Sequence, residues 1–260
     1  MNQAPLAELT AYLDGYLRVG EIGDYGGAVN GLQVENSGQV GALVAAVDAS
    51  LATIEGVVDA LRTGQLTGPV LLLVHHGLFW DGEHAITGRR FRRIRTLLQH
   101  DIALYSAHIP LDVHPEVGNN AVLARMLGLE DTATFDEYKG APLGVMGRVA
   151  LSRADFVNQV QRALGTTVRL IPGGPERIAR VGIITGGAGS RLPAAVAAGC
   201  DSFLTGEGAH HTYFDAMELG ANLLYAGHYA TETVGVKALA EHVSVRFGVP
   251  FTFHDHPTGM

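Results

Sequence analysis

The sequence predicts an α/β protein made of two related α/β domains. Short apolar segments alternate with amphipathic helical segments along the whole chain, and a strand followed by a histidine recurs in both halves. The composition fits this fold class and excludes a disordered chain, because 47% of the 260 residues are hydrophobic and only 17% are charged. The 34 glycines indicate many tight turns.

Each element follows from its hydrophobic periodicity. Leucines spaced three and four apart predict an amphipathic helix over residues 6–19, and the apolar run at 69–74 is typical of a buried parallel strand. By the same criteria, the other elements of the first half are a strand at 42–47, helices at 51–62 and 91–99, a strand at 102–105 and a helix at 119–127. Those of the second half are helices at 153–164, 192–198, 213–219 and 234–247 and strands at 180–185, 202–205 and 222–225.

A repeat relates the two halves. In each half, a strand is followed by two small residues, a histidine and, four positions later, an acid: His108 with Asp112, and His228 with Glu232, at an offset of 120 residues. We therefore divide the chain into a first α/β domain, residues 1–129 plus 226–260, and a second one, residues 130–225. Three turn-favouring residues fall near the join: Pro142, Gly144 and Gly147.

The net charge and the cysteine count narrow the class of protein. A net charge of −8 argues against a nucleic-acid binder, whose phosphate contacts need a basic surface. Cys200 is the single cysteine, so neither a disulfide nor a thiolate zinc site is expected. The first residues lack the basic leader of a signal peptide, and the apolar runs fall short of the about 20 residues that span a bilayer. We expect a cytoplasmic protein without membrane contact.

Histidines at strand ends are the candidate functional residues. His75 and His76 follow one apolar strand, and the two His–acid pairs follow two others. Because ligands gather at the carboxyl ends of parallel strands, these side chains form a candidate metal site. Imidazole and carboxylate donors suit Zn, Mn, Fe, Co or Ni. A single His-x-x-x-acid is more often a surface or capping pair, but three such features at three strand ends favour metal binding.

The histidine pair and the acids suggest more than one ion. Adjacent histidines in an extended segment point to opposite faces, so His75 and His76 can serve different ions if they sit at a turn. Two ions need a bridging carboxylate, for which Glu232 is the natural candidate because it is longer than Asp112. The other histidines lack such a placement: we expect His84, His100, His114 and His242 in solvent, and His254 and His256 in a frayed C-terminal tail.

Two further segments allow two interpretations each. The glycine-rich turn at 186–190, with Arg191 beside it, is either a phosphate-binding loop or a tight strand-to-helix turn. Phe79 and Trp80 either stack on a base or pack in a core or an interface.

Five segments together resemble the NIF-three-like family, also called GTP cyclohydrolase I type 2. They are Asn30-Gly-Leu-Gln-Val34, Val74-His-His-Gly-Leu-Phe-Trp80, His108-Ile-Pro-Leu-Asp112, Thr205-Gly-Glu207 and Gly227-His-Tyr-Ala-Thr-Glu232. The resemblance runs from about residue 6 to the C-terminus in the family's order. It implies two similar α/β domains with a dinuclear metal site in the cleft between them, and a toroidal homohexamer.

The resemblance also implies roles for individual residues. His76 and Asp112 would bind one divalent metal ion, His75 and His228 the other, and Glu232 would bridge both. His108 and Glu207 are the candidate catalytic residues, which move protons beside the metals. The chain resembles the family's short members, and roles for two residues stay open: His210 and His211.

Two functions from different classes follow. The first is a metal-dependent hydrolase, for which the family name implies GTP as substrate, opening of its guanine imidazole ring and release of formate. The expected ligand is then a nucleotide or another phosphate-bearing small molecule. The second is a non-catalytic metal-binding hexameric scaffold or partner-binding protein. Formate release from GTP by the metal-loaded protein distinguishes the two.

Overall fold

A computed structural model describes residues 3–82 and 84–259 of the chain. Its strands are β1 (Ala4–Pro5), β2 (Gly31–Val34), β3 (Gln39–Val40), β4 (Ala42–Asp48), β5 (Val70–His76), β6 (Ile102–Ser106), β7 (Glu130–Tyr138), β8 (Ala141–Ser152), β9 (Arg169–Pro172), β10 (Arg177–Ile183), β11 (Ser202–Thr205), β12 (Asn222–Tyr225) and β13 (Phe251–Phe253). Its helices are α1 (Leu6–Leu17), α2 (Leu51–Arg62), α3 (Gly88–Gln99), α4 (Ile109–Asp112), α5 (Asn119–Met126), α6 (Arg153–Leu164), α7 (Leu192–Ala197), α8 (Thr212–Leu219) and α9 (His228–Phe247). Within these residues, no helix has both the length and the apolarity that crossing a bilayer requires.

The chain divides into two compact units. The first comprises the residues up to Leu111 together with Val236–His256, and the second comprises Asp112–Gly235 and the residues from Pro257 onward. The sequence pattern puts the boundaries at 129/130 and 225/226 instead. The second unit begins earlier because α5 packs on its sheet, where Leu123 shares one core with Ile183.

The first unit is built on a five-stranded sheet in the order β13-β4-β5-β6-β2. β13, β4, β5 and β6 are parallel neighbours, whereas β2 runs antiparallel to β6 at the edge. The apolar run of β5 is buried, and its side chains pack against Ile54 and Val57 of α2 and Leu97 of α3. This burial confirms the parallel strand predicted from the uninterrupted apolar run.

The second unit is built on a six-stranded mixed sheet in the order β7-β8-β10-β11-β12-β9. β10, β11 and β12 are parallel, and the strands outside them are antiparallel. Its core joins these strands to α5 and α6 through Leu204, Leu224, Phe156 and Val160.

The two units share a central pattern of three neighbouring parallel strands, β4-β5-β6 in the first and β10-β11-β12 in the second. The predicted site residues follow equivalent strands. His108 comes two positions after β6, and His228 comes three positions after β12. The topology therefore agrees with the 120-residue offset seen in the sequence.

The structure departs from the pattern analysis mainly at the edges of the two sheets. The strands β2, β7, β9 and β13, which periodicity misses, lie at sheet edges, where no continuous apolar run is needed. Pro142, Gly144 and Gly147 lie within β8 rather than at a join. Position 144 requires a glycine there because a Cβ would collide with the ring of Phe135. The last helix begins at His228, six residues before the predicted start.

Candidate metal centre

The first unit brings three histidine side chains together. His75 and His76 are the last two residues of β5, and His108 follows β6. One ring nitrogen from each of the three lies within 4.8 Å of the others, and their ring centroids are 4.8, 4.9 and 5.6 Å apart. Because the strand ends at His76, both neighbouring rings join the same cluster.

Hydrogen bonds orient the rings of the histidine pair. Nδ1 of His75 lies 2.8 Å from the carbonyl oxygen of Ala107, and Nδ1 of His76 lies 2.9 Å from Oδ1 of Asp48. Because these oxygens accept, each Nδ1 donates and each Nε2 carries the lone pair of the neutral ring. Asp48 reaches His76 because the two residues pair in register at the ends of β4 and β5.

A carboxylate also orients His108. Nδ1 of His108 lies 2.8 Å from Oδ1 of Asp24, and Oδ2 of Asp24 accepts hydrogen bonds from Nδ2 of Asn30 at 2.8 Å and from N of Ile109 at 2.9 Å. Asn30 in turn accepts a hydrogen bond from N of His108 at 2.7 Å. Burial alone would raise the pKa of Asp24, but the hydrogen bonds and charge of His108 and the bond from Asn30 lower it below its usual value.

The second unit holds Asp112 at the end of α4. Oδ1 of Asp112 accepts hydrogen bonds from Nδ2 of Asn119 at 2.8 Å and from Oγ1 of Thr185 at 3.4 Å. Asn119 accepts one from N of Gly235 in α9 at 2.8 Å. The buried carboxylate is therefore held by side chains from α5 and from the residues after β10.

His228 and Glu232 share the first turns of α9. Their spacing places them on one face, with Nε2 of His228 3.1 Å from Oε1 of the buried Glu232. Nδ1 of His228 lies 2.7 Å from Oε1 of Glu207. Burial alone would lower the pKa of His228, but the hydrogen bonds and charges of Glu232 and Glu207 outweigh it and raise the pKa to about 9. Without a metal, the imidazolium lies between two carboxylates.

Gly186 leaves the space that the carboxylate of Glu232 occupies. Its φ of +70° lies in the left-handed region, and a Cβ there would collide with Oε1 of Glu232. Its N donates to Oγ1 of Thr231 at 3.1 Å. The start of the glycine-rich turn therefore packs against α9.

The structure collects the predicted residues in two groups, one within each unit. The first contains His75, His76 and His108. In the second, His228 contacts Glu207 and Glu232, whereas Asp112 contacts Thr185. The two histidines without an assigned role contact residues of α8 instead: the ring of His210 packs edge-to-face on Phe214 at 5.5 Å, and His211 lies 4.0 Å from Asp215.

Three other histidines are more ordered than the sequence suggests. His242, expected in solvent, lies 2.5 Å from the hydroxyl of Tyr12. N of His254 donates to O of Ala45 at 2.8 Å, and Nδ1 of His254 lies 3.0 Å from Nε2 of His256. The segment after β13 is therefore tied to β4 instead of frayed.

Pattern analysis did not find the residues that orient the site. Asp48 and Thr185 carry a usable signal, because each is a polar residue at or just after the carboxyl end of an apolar strand. Asp24 and Asn119 carry no such signal, since Asp24 reaches His108 from a loop 84 positions away and Asn119 lies within α5.

The chain is similar throughout its length to known proteins. The family model Duf34/NIF3 (NGG1p interacting factor 3) matches residues 5–258. A Deinococcus radiodurans protein named GTP cyclohydrolase 1 type 2 homolog is 42% identical over 97% of this chain and 94% of its own, and an Archaeoglobus fulgidus protein of the same name is 39% identical over 98% and 99%. Among solved structures, protein ybgI, of unknown function, has a TM-score of 0.89 at 36% identity, over 99% of this chain and all of its own. The chain therefore belongs to the Duf34/NIF3 family.

Proposed function

We propose that the chain is a hydrolase that uses two divalent metal ions per subunit and acts on GTP, the nucleotide in the names of its relatives. The observation that carries the proposal is the cluster of His75, His76 and His108, whose ring nitrogens lie within 4.8 Å of one another. Nδ1 of His75 and Nδ1 of His76 each lie against an oxygen acceptor, so we assign their Nε2 atoms to the ions, whereas Nε2 of His108 is assigned to proton transfer.

The donors of both units fit the expected ions. We assign one ion to His76 and Asp112, the other to His75 and His228, and both to Glu232. Neutral imidazoles with carboxylates suit Zn, Mn, Fe, Co or Ni. The buried Glu232 supports the bridging assignment because a carboxylate has two oxygens, and Gly186 leaves room for its Oε1.

Divalent ions bound by these residues would lower the pKa of water and so supply hydroxide near neutral pH. Asp24 keeps the Nδ1 proton of His108 in place, so Nε2 is the atom that accepts a proton as water adds to the imidazole carbon of guanine. The same Nε2 returns that proton to the ring nitrogen when the C–N bond breaks, and a second water releases the carbon as formate. Glu207, hydrogen-bonded to His228 and partly exposed, is the second candidate for proton exchange.

Formate and metal measured on the same samples test the proposal. The metal-loaded wild type should release formate from GTP, and His228→Ala should lose metal and activity together. His108→Ala should lose about 10²- to 10⁴-fold in turnover while keeping its metal, because it moves protons without holding the ions. His100→Ala, which alters an exposed histidine, is the control and should behave like the wild type. A fully metallated wild type that releases no formate would contradict the proposal.

The alternative function is a non-catalytic metal-binding scaffold or partner-binding protein. It is favoured by α8, which exposes Tyr213, Phe214 and Met217 by 46%, 49% and 45%. Large exposed apolar side chains in one place are typical of protein contact surfaces. With either function, we propose that the chain forms a homohexamer.

A further inference from the structure

Two large aromatic side chains are exposed beside the three-histidine cluster. Tyr25 is 51% exposed and Trp80 is 39% exposed, with ring centroids 6.2 Å apart. The indole of Trp80 packs edge-to-face on His108 at 4.6 Å, and the ring of Tyr25 lies 5.8 Å from the same histidine. Large aromatic side chains are on average highly buried, so two that leave 51% and 39% of their surface exposed next to a polar cluster indicate a ligand surface.

Close backbone packing holds this aromatic pair in place. At Gly27, a Cβ would come within 3.0 Å of O of Phe79 and 3.1 Å of Cα of Trp80, so the loop that carries Tyr25 lies directly against the loop that carries Trp80. Gln33 joins the same two loops. Its Nε2 donates to O of Val29 at 2.9 Å, and its Oε1 accepts from N of Leu78 at 2.8 Å.

The pair is also tied to the histidine cluster. N of Tyr25 donates to Oδ1 of Asp24 at 2.6 Å, and the same carboxylate binds Nδ1 of His108. The same backbone contacts and hydrogen bonds therefore hold Tyr25, Trp80 and His108 in place. The surface is formed before a ligand binds. A preformed surface avoids the entropic cost of ordering these side chains on binding.

We propose that Tyr25 and Trp80 bind the planar nitrogen heterocycle of the substrate by stacking, beside His108. The proposal rests on the proposed function, because it puts the ring that is to be opened next to the group that moves protons. Aromatic side chains bind planar bases through their faces, and loss of one such contact weakens binding about 5- to 100-fold. The interpretation of Trp80 as a base-stacking residue is thus preferred to core packing.

The fluorescence of the protein provides a direct test, because Trp80 is its single tryptophan. The metal-loaded protein is titrated with guanosine, and with ribose as the control that lacks the heterocycle. Guanosine should quench the emission along a saturable curve, and ribose should leave it unchanged. Absence of saturable quenching by guanosine would overturn the proposal.

Variants locate the binding surface. Tyr25→Ala should weaken guanosine binding about 5- to 100-fold, and Tyr25→Phe should restore it because the ring is retained. Phe91→Ala removes a similarly exposed aromatic side chain, on α3, and should bind guanosine like the wild type. Equal affinity of Tyr25→Ala and the wild type would overturn the proposal. So would a change of particle mass in Tyr25→Ala without a change in guanosine affinity, since the pair would then be a contact between copies of the chain.

Kinetics separates this proposal from the proposed reaction. If guanosine binds at Tyr25 and Trp80 but GTP yields no formate, the subsite stands and the reaction is wrong. If GTP yields formate with the same KM in Tyr25→Ala and Trp80→Ala as in the wild type, the reaction stands and the subsite is wrong. Circular dichroism and Tm of each variant show whether it is folded.

Discussion

Oδ1 of Asp24 lies 2.8 Å from Nδ1 of His108, although the two residues are 84 positions apart in the chain. The two side chains are almost fully buried, with exposures of 6% and 11%. The pair fixes which nitrogen of His108 carries the proton, and one ring nitrogen of His108 lies within 4.8 Å of ring nitrogens of His75 and His76. Asp24 is therefore a positioning residue for the candidate proton-transfer group.

Replacing Asp24 should disturb His108 without emptying the proposed metal site. We expect Asp24→Ala to lower turnover toward the level of His108→Ala, with the double variant no slower than His108→Ala alone, because both changes act on one unit. In ¹⁵N NMR spectra, His108 should carry its proton on Nδ1 in the wild type and lose this preference in Asp24→Ala. Loss of both metal ions from Asp24→Ala would contradict this assignment.

Replacement of Glu232 and replacement of Asp112 should differ in their effect on the metal content of the protein. Glu232→Ala should lose both ions because the proposed function assigns it to both, whereas Asp112→Ala should lose mainly one. Elemental analysis of protein purified without chelators gives the counts. Asp215→Ala, which removes an acid next to His211, should keep the wild-type content. An unchanged count in Glu232→Ala would exclude the bridge.

A side chain should be tolerated at Gly187 but not at Gly186. In Gly186→Ala the added Cβ meets Oε1 of Glu232 in a backbone conformation that L-residues rarely adopt, so we expect weaker metal retention and a lower Tm. Gly187→Ala is the matched control, since its Cβ would have only ordinary contacts, at 3.6 Å from Glu207 and His228. Equal metal content in the two variants would contradict the packing argument.

The metal-free protein should lose stability as the pH rises from about 6.5 to 9. The folded state raises the pKa of His228 to about 9, so protonation of His228 stabilises the fold fully below its unfolded pKa. This contribution, at most about 3 kcal/mol, disappears as the pH passes through the folded pKa. Urea unfolding of chelator-treated protein measures it. In His228→Gln, the free energy of unfolding should vary less with pH over this range. A pH dependence as steep as that of the wild type would contradict the role of His228.

The assembly of the chain can be tested by light scattering. We expect the particle mass of six chains at micromolar concentration, since a ring would cover the apolar residues that α8 exposes. Phe214→Glu should lower the mass because it places a charge on that surface. A wild-type mass of one 260-residue chain would show that the hexamer is wrong.

Local patterns were sufficient for the central strands and for the histidines that follow them. The buried runs of β4 and β5 are apolar along their whole length because both faces of these strands are covered, and such runs can be recognised without knowledge of their neighbours. The histidines were recognisable because residues at the carboxyl ends of parallel strands share one edge of the sheet. The 120-residue offset indicated that His108 and His228 occupy equivalent positions in the two halves.

Other features were decided only by the tertiary structure. Gly144 resembles a turn residue in the sequence, but it lies in β8, where the ring of Phe135 occupies the space that a side chain would need. Asp48 contacts His76 through strand register, and Asp24 contacts His108 across 84 positions. A hydrogen-bond partner is selected by which segments pack together, and no local periodicity contains that information. The sequence by itself therefore determined the fold class and the residue types of the candidate site, whereas long-range packing decided which side chains orient them.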